Sequence, residues 1–349
     1  SPTSADVFMD GSFARIIQGV SGPTPSFSTT LVDGPNTIDV DPFVNETEAS
    51  AYYNTNIVHD HMKDFYPSFN VLDYPFTVRV DRNDGDCNAF YDGSSINFYS
   101  PGGGCPATAL FGDVVYHEYG HALNNDLYQF LGDPGGMGNG ALNEGYADVW
   151  GLSITNNPIL GQGFSGGSGT FVRRYDTDPK VYPEDLVGQV HADGEIICGA
   201  WWDFRAIRGD INEMTDLWLG TYDAVHDNFD GNEGVLYRDI LLEALIVDDD
   251  DADLSTGTPR DDDIIAAFAI HGITLLANAV VSSPLTDAAP ASPVTIPADL
   301  GVDFPAYLGD FNIIWREKGT STWNTELMTL VSGTDYEAIL PAQPEGTIL

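Results

Sequence analysis

The chain has 349 residues, 42% of them apolar, which is enough to bury a large core in two or three domains and too apolar for a disordered protein. Its 53 acidic residues face 13 basic ones, a formal net charge of −40 that argues against nucleic acid as a partner and against docking on anionic membranes. No apolar run approaches the ~18–20 residues needed to cross a bilayer, so no membrane partner is expected.

The first residues, SPTSADVFMD, lack the basic start and apolar stretch of a signal peptide, as a mature or processed chain would. Short β-like runs follow, FARIIQGV and NTIDVD, separated by Gly and Pro turns. Glu46 to Tyr66 reads as a helix that Pro67 ends. VLDYPFTVRVD and NAFYDGSSINFYS read as strands, the second broken by a turn at Asp92–Gly93. From Ala109 to Leu131 the apolar period turns helical, with Leu110, Val114, Val115, Ala122 and Leu123 on one face. The glycine-rich loop GDPGGMGNG leads to a second helix, ALNEGYADVWGLSI, and helices are then expected near 191–209, 234–247 and 261–271. DAAPASPVTIPADLG reads as a Pro- and Ala-rich linker, and the alternating runs beyond it fit part of a small β-sandwich.

Of the three cysteines, Cys87 and Cys105 bracket a segment rich in Asn, Asp, Gly and Ser. That suits a disulfide closing a surface loop, with free thiols as the alternative, while Cys198 in an apolar helix suits a buried thiol. One disulfide is compatible with an extracellular protein.

Within VVYHEYGHALNN, residues 114–125, His117 and His121 stand four apart and so share a helix face. Both imidazoles can address one metal ion, and Glu118 beside them can take a proton from water without being a ligand. A catalytic zinc needs a third protein ligand and an open position. The HExxHxxGxxH extension is absent, since Asn124 and Leu127 occupy its Gly and His positions. Glu144, in NEGYAD on the next helix, supplies the ligand instead, and Asp148 one turn later can orient a ligand histidine.

HEYGH followed by NEGYAD resembles the thermolysin-like zinc peptidases, with wording closest to the fungalysin family. The resemblance covers roughly residues 45–285 and implies an α+β, two-lobed fold, an N-terminal α/β lobe over 1–155 and a mainly helical lobe over 156–286; composition adds a linker with a β segment over 287–349. NAFYDG resembles the edge strand that holds substrate backbone, implicating Asn88 and Ala89. RRYDTDP resembles the segment that carries an arginine to the substrate carbonyl, a role that falls on Arg174. VHADGEII resembles the segment whose histidine stabilises the tetrahedral intermediate, which falls on His191; Asp185 is the nearest acid to orient it. Asp113 matches a calcium ligand of thermolysin, but its acidic partner is replaced by Thr155. His59 and His61, in NIVHDHM, are spaced by two and cannot share a helical metal site; a structural role is expected.

DDDDADLSTGTPRDDD, residues 248–263, holds eight aspartates and suits a structural Ca2+ through Asp249, Asp251 and Asp253, although a solvated acidic loop needs no ion. HDNFDGNEG, residues 226–234, is a weaker second calcium candidate. Trp315 and Trp323 fit core positions better than a ligand platform. The reading is a secreted, extracellular, monomeric zinc endopeptidase acting on protein or peptide substrates. By resemblance it should favour an apolar residue after the scissile bond. An aminopeptidase of related fold and a calcium-stabilised non-catalytic binding module are the alternatives.

Overall fold

The computed structural model describes residues 2–223, 229–281, 289–302 and 311–349. They form two compact units: Ser1–Val247 with Asp262–Ile273, and Asp248–Asp261 with Thr274–Leu349.

In the larger unit, β1 (Thr3–Phe8), β2 (Ala14–Gln18) and β3 (Ser26–Leu31) come first, and β1 pairs antiparallel with β3. The strand expected at NTIDVD does not form. Asn36 turns back instead, accepting from the Val32 N–H at 2.9 Å and donating to the Val32 and Gly34 carbonyls, so side-chain bonds replace a ladder. Helix α1 (Glu46–Phe65) starts at a capping box in which Asn45 accepts from the Glu48 N–H and Glu48 accepts from the Asn45 N–H. Then come β4 (Phe76–Arg82), β5 (Ala89–Tyr91) and β6 (Ser95–Tyr99). They build a four-stranded sheet in the order β2-β4-β6-β5, in which β2–β4 and β4–β6 are parallel and β5–β6 is antiparallel. The antiparallel β5 is therefore an edge strand with one row of backbone groups unpaired by the sheet.

Helix α2 (Gly112–Leu131) buries Val114, Val115, Ala122, Leu123 and Leu127. Leu110 was expected on that face but belongs to a separate 3-10 turn, Thr108–Leu110, and is 41% exposed. Helix α3 (Gly140–Thr155) follows, then the short pair β7 (Ile159–Leu160) and β8 (Arg173–Arg174). Helices α4 (Val190–Arg208), α5 (Ile211–Gly220), α6 (Glu233–Asp248) and α7 (Asp261–Ile270) complete the helical part. The expected helices near 191–209, 234–247 and 261–271 are present, and α5 is one more, set off from α4 by Gly209 in the left-handed conformation and capped by Asp210.

The second unit holds β9 (Leu276–Val281), β10 (Val294–Val302), β11 (Asn312–Trp315), β12 (Asn324–Leu327), β13 (Thr329–Ser332) and β14 (Asp335–Leu340). Its main sheet runs β13-β14-β10-β9, and β11 pairs with β12. Alternate residues of β10 and β14, Ala298, Leu300, Tyr336 and Ala338, form a small core with Met328, against which Phe311 and Ile313 pack. Trp323 is not in that core; it is 54% exposed, and the Arg316 guanidinium lies 4.5 Å from its ring centroid. The architecture is mixed α+β, and among the described residues no helix is long and apolar enough to cross a membrane.

Candidate metal centre

Three helices meet at the site because glycines let their backbones approach. A Cβ on Gly120 of α2 would lie 3.0 Å from the Trp150 ring and 3.1 Å from the Ala147 Cα on α3. Between α3 and α4, a Cβ on Gly145 would lie 2.6 Å from the Gly194 carbonyl oxygen, and one on Gly194 would lie 2.6 Å from that of Ala141. Side chains at these positions would push the helices apart. Close packing therefore sets Glu144 and Asp148 beside the histidines of α2, and brings the start of α4 with His191 over them.

His117 and His121 turn their Nε2 atoms to one point, 3.2 Å apart. Glu144 meets them there, with Oε2 at 3.4 Å from His117 Nε2 and Oε1 at 3.7 Å from His121 Nε2. The ligand atoms of His117, Glu118 and His121 also lie within 4.8 Å of one another. Behind the site, Asp148 Oδ1 stands 2.6 Å from His117 Nδ1, and Asn143 Oδ1 stands 2.7 Å from His121 Nδ1. Each histidine is thus held from its far nitrogen, which leaves Nε2 for the shared point. His191 Nε2 lies 3.2 Å from Glu144 Oε1, on a side chain that is half exposed to the cleft.

The electrostatics fit a cation at that point. Burial opposes charge on His117, but Asp148, Glu144 and Glu118 outweigh it and raise its pKa to about 10. Burial and the neighbouring His117 push His121 down to about 4. Burial would raise Glu144, yet the surrounding histidines hold it at about 2. Glu118 is pushed up to about 7, chiefly by burial. Glu144 Oε2 is buried and accepts no hydrogen bond in the structure, a cost that a coordinated ion would remove. Two imidazoles and a carboxylate make a zinc ligand set with one position left open.

These groups line a cleft of about 450 Å³ together with Asn88, with Ala89, Phe90 and Tyr91 of the β5 edge that follows it, and with Gly140 and Val190. Cys87 and Cys105 are joined in a disulfide, Cα–Cα 5.3 Å, that brackets the β5–β6 hairpin. Cys198 is a free, buried thiol.

Arg174 is not brought to this cleft. Successive residues of a strand face opposite ways, and β8 turns Arg174 outward to pair with Asp176, Nε to Oδ1 at 2.5 Å. Arg173, one residue earlier, is buried and grips Asp148 with Nε at 2.5 Å and Nη2 at 2.7 Å; it also approaches Glu144 to 4.0 Å. Tyr175, on the same side as Arg173, donates its hydroxyl to Asp148 Oδ2. The sequence reading missed both, although the alternation R-R-Y marks residues 173 and 175 as a pair facing one way. Nor does Asp185 orient His191. It accepts from the Val181 N–H at 2.7 Å, while Gln189 Nε2 lies 2.6 Å from His191 Nδ1.

Asp113 accepts from the Gly161 and Val114 N–H groups, and Thr155 donates to the Gly151 carbonyl, so the two positions serve the backbone. In the acidic loop of the second unit, carboxylates of Asp249, Asp250 and Asp251 gather. Asp253 is outside that group and caps the next turn through the Ser255 N–H and hydroxyl. Of HDNFDGNEG, residues 226–228 lie outside the described residues; Asp230 accepts from the Gly140 N–H, and Glu233 from the Gly231 N–H. His59 stacks on Phe13 and bonds Asp73, whereas His61 bonds Ser153.

His117, Glu118 and His121 thus form a candidate metal-holding group beside Glu144, and the comparison with solved structures bears on the fold that carries it. The chain is similar to the precursor of protealysin, a metalloproteinase from Serratia proteamaculans, with a TM-score of 0.54 and 17% sequence identity over 78% of this chain and 89% of that one. At that identity the likeness establishes the fold. No family model and no curated protein matches the chain.

Proposed function

We propose that the protein is a secreted zinc endopeptidase with a two-lobed thermolysin-like fold. The observation that carries this reading is the convergence of His117, His121 and Glu144, with a buried carboxylate oxygen that accepts no hydrogen bond, at the base of a cleft walled by a free strand edge.

His117, His121 and Glu144 would hold the zinc, which supplies Lewis acidity and lowers the pKa of water at the open position. The β5 edge at Asn88 and Ala89 receives the substrate backbone as an added strand. Glu118 takes the proton from the attacking water and returns it to the leaving amine; burial pushes its carboxyl up and a neighbouring cation pulls it down. His191 donates from Nε2 to the oxyanion that develops on the scissile carbonyl. Arg173 acts through Asp148, which fixes His117, rather than on the substrate. The disulfide and the precursor relative support secretion, and the acidic group at Asp249 and Asp251 supports a structural Ca2+. Fungalysin-like kinship, an apolar preference after the scissile bond and a monomeric state belong to the same reading.

The test is hydrolysis of an internally quenched, end-blocked peptide by the native protein and by Glu118→Gln, with metal analysis of both. The native protein should cleave with about one zinc bound, and the variant should keep its zinc while losing about 10²–10⁴-fold in rate. Equal cleavage by the two would remove Glu118 as base. Cleavage of free-amine peptides alone would make the protein an aminopeptidase, and turnover of neither would favour the binding module.

A further inference from the structure

Behind the cleft, a chain of buried polar groups runs from His121 into the helical part of the larger unit. Asn124, three residues after His121 on α2, is 0% exposed. Its Oδ1 accepts from Trp150 Nε1 at 3.2 Å and from the Tyr222 hydroxyl at 2.7 Å. Its Nδ2 donates to the Asn143 carbonyl at 2.8 Å and to Asn143 Oδ1 at 3.1 Å. The side chain of Asn143 then meets His121 Nδ1 at 2.7 Å.

The direction of every proton in this chain follows from its fixed end at the Asn143 carbonyl. An indole N–H can only donate, which suits the Asn124 oxygen on the side facing Trp150. A backbone carbonyl can only accept, so the atom facing Asn143 O must be the Asn124 amide nitrogen. That nitrogen also donates to the Asn143 side chain, which identifies the atom there as Oδ1. An oxygen that only accepts leaves one role for His121 Nδ1, that of donor. The imidazole therefore carries its proton on Nδ1 and keeps the Nε2 lone pair for the point shared with His117 and Glu144.

We propose that Asn124 is a positioning residue that fixes the tautomer and ring orientation of His121, with the Asn143 carbonyl as the reference that orients it. The inference rests on the reading of His121 as a metal ligand. Trp150 Nε1 lies 3.2 Å from both Asn124 Oδ1 and the Tyr222 hydroxyl, so Tyr222 adds a donor to Asn124 Oδ1 without determining which way the amide faces; the Asn143 carbonyl, which can only accept, determines that.

The test compares Asn124→Leu and Tyr222→Phe in the full chain, both of which remove buried hydrogen bonds. Zinc affinity is measured by competition with a chromophoric chelator, and the d–d spectrum of the Co2+-substituted protein is recorded. Asn124→Leu should weaken zinc about 10–100-fold and change the cobalt spectrum. Tyr222→Phe should lose thermal stability while holding zinc within about 2-fold of the native protein. Native zinc affinity in Asn124→Leu, or equal weakening in both variants, would overturn the proposal. Should Asn124→Leu fail to fold, the imidazole ¹⁵N shifts of His121 are compared between the metal-free native protein and Asn124→Asp, which cannot donate to Asn143: loss of a uniform Nδ1–H tautomer in the variant supports the proposal, and an unchanged tautomer overturns it. If the native protein takes up no zinc at all, the metal-centre reading fails and this inference falls with it.

Discussion

Glu118 stands next to a candidate metal ligand in sequence, yet its role depends on burial. With its pKa raised to about 7, it would lose its proton only near neutrality. A zinc ion beside it lowers that value, because a nearby positive charge favours the carboxylate. A general base works deprotonated, so kcat/KM should fall as pH drops, with a midpoint at or below about 7. A pH–rate profile on the end-blocked peptide checks this, and a rate that rose as the pH dropped below about 7 would be at odds with a carboxylate base. The two arginines of β8 give a second contrast. Removing the Arg173 guanidinium leaves Asp148 buried with its main countercharge gone, so Arg173→Leu should cost about 3–5 kcal/mol in a denaturant melt. Arg174→Ala, which loses only the exposed pair with Asp176, should leave folding and cleavage unchanged. Equal effects would mean that β8 faces the other way.

At the scale of elements, the HEYGH helix, the NEGYAD helix and the β5–β6 hairpin could be read from period, motif and turn chemistry. The strand at NTIDVD and the role of Arg174 could not. The first lost to a local asparagine turn, and the second depended on which face of a two-residue strand the sheet pairing chose. The disulfide ties the edge strand that receives substrate in the proposed mechanism. Closing an 18-residue separation contributes about 3 kcal/mol through the unfolded chain. The double variant Cys87→Ser/Cys105→Ser should therefore melt at lower temperature. It should also raise KM more than it lowers kcat, because a loosened β5 weakens backbone pairing with substrate but leaves the histidines in place. A loss confined to kcat would place the effect on the metal centre instead.

For the molecule as a whole, a net charge of −40 on 349 residues implies self-repulsion that salt relieves. Raising KCl from about 0.1 to 1 M shortens the screening length from about 10 to 3 Å. The melting temperature should therefore rise, by about 2–4 °C for each kcal/mol of repulsion removed. A fall would show that the buried ion pairs outweigh the surface. The sequence by itself determined the helical pair of histidines, the glutamate between them, the acid on the next helix and the cysteine-bracketed hairpin. Each is a matter of spacing along one or two elements, where geometry follows directly from the period of the backbone. Only the tertiary structure decided that Arg173 grips Asp148 while Arg174 turns away from the cleft, and that Asn124 reaches Asn143 and Tyr222. Those contacts join elements up to 98 residues apart. Their partners are set by how closely the glycines of α2, α3 and α4 let the helices approach, and no local pattern encodes that distance.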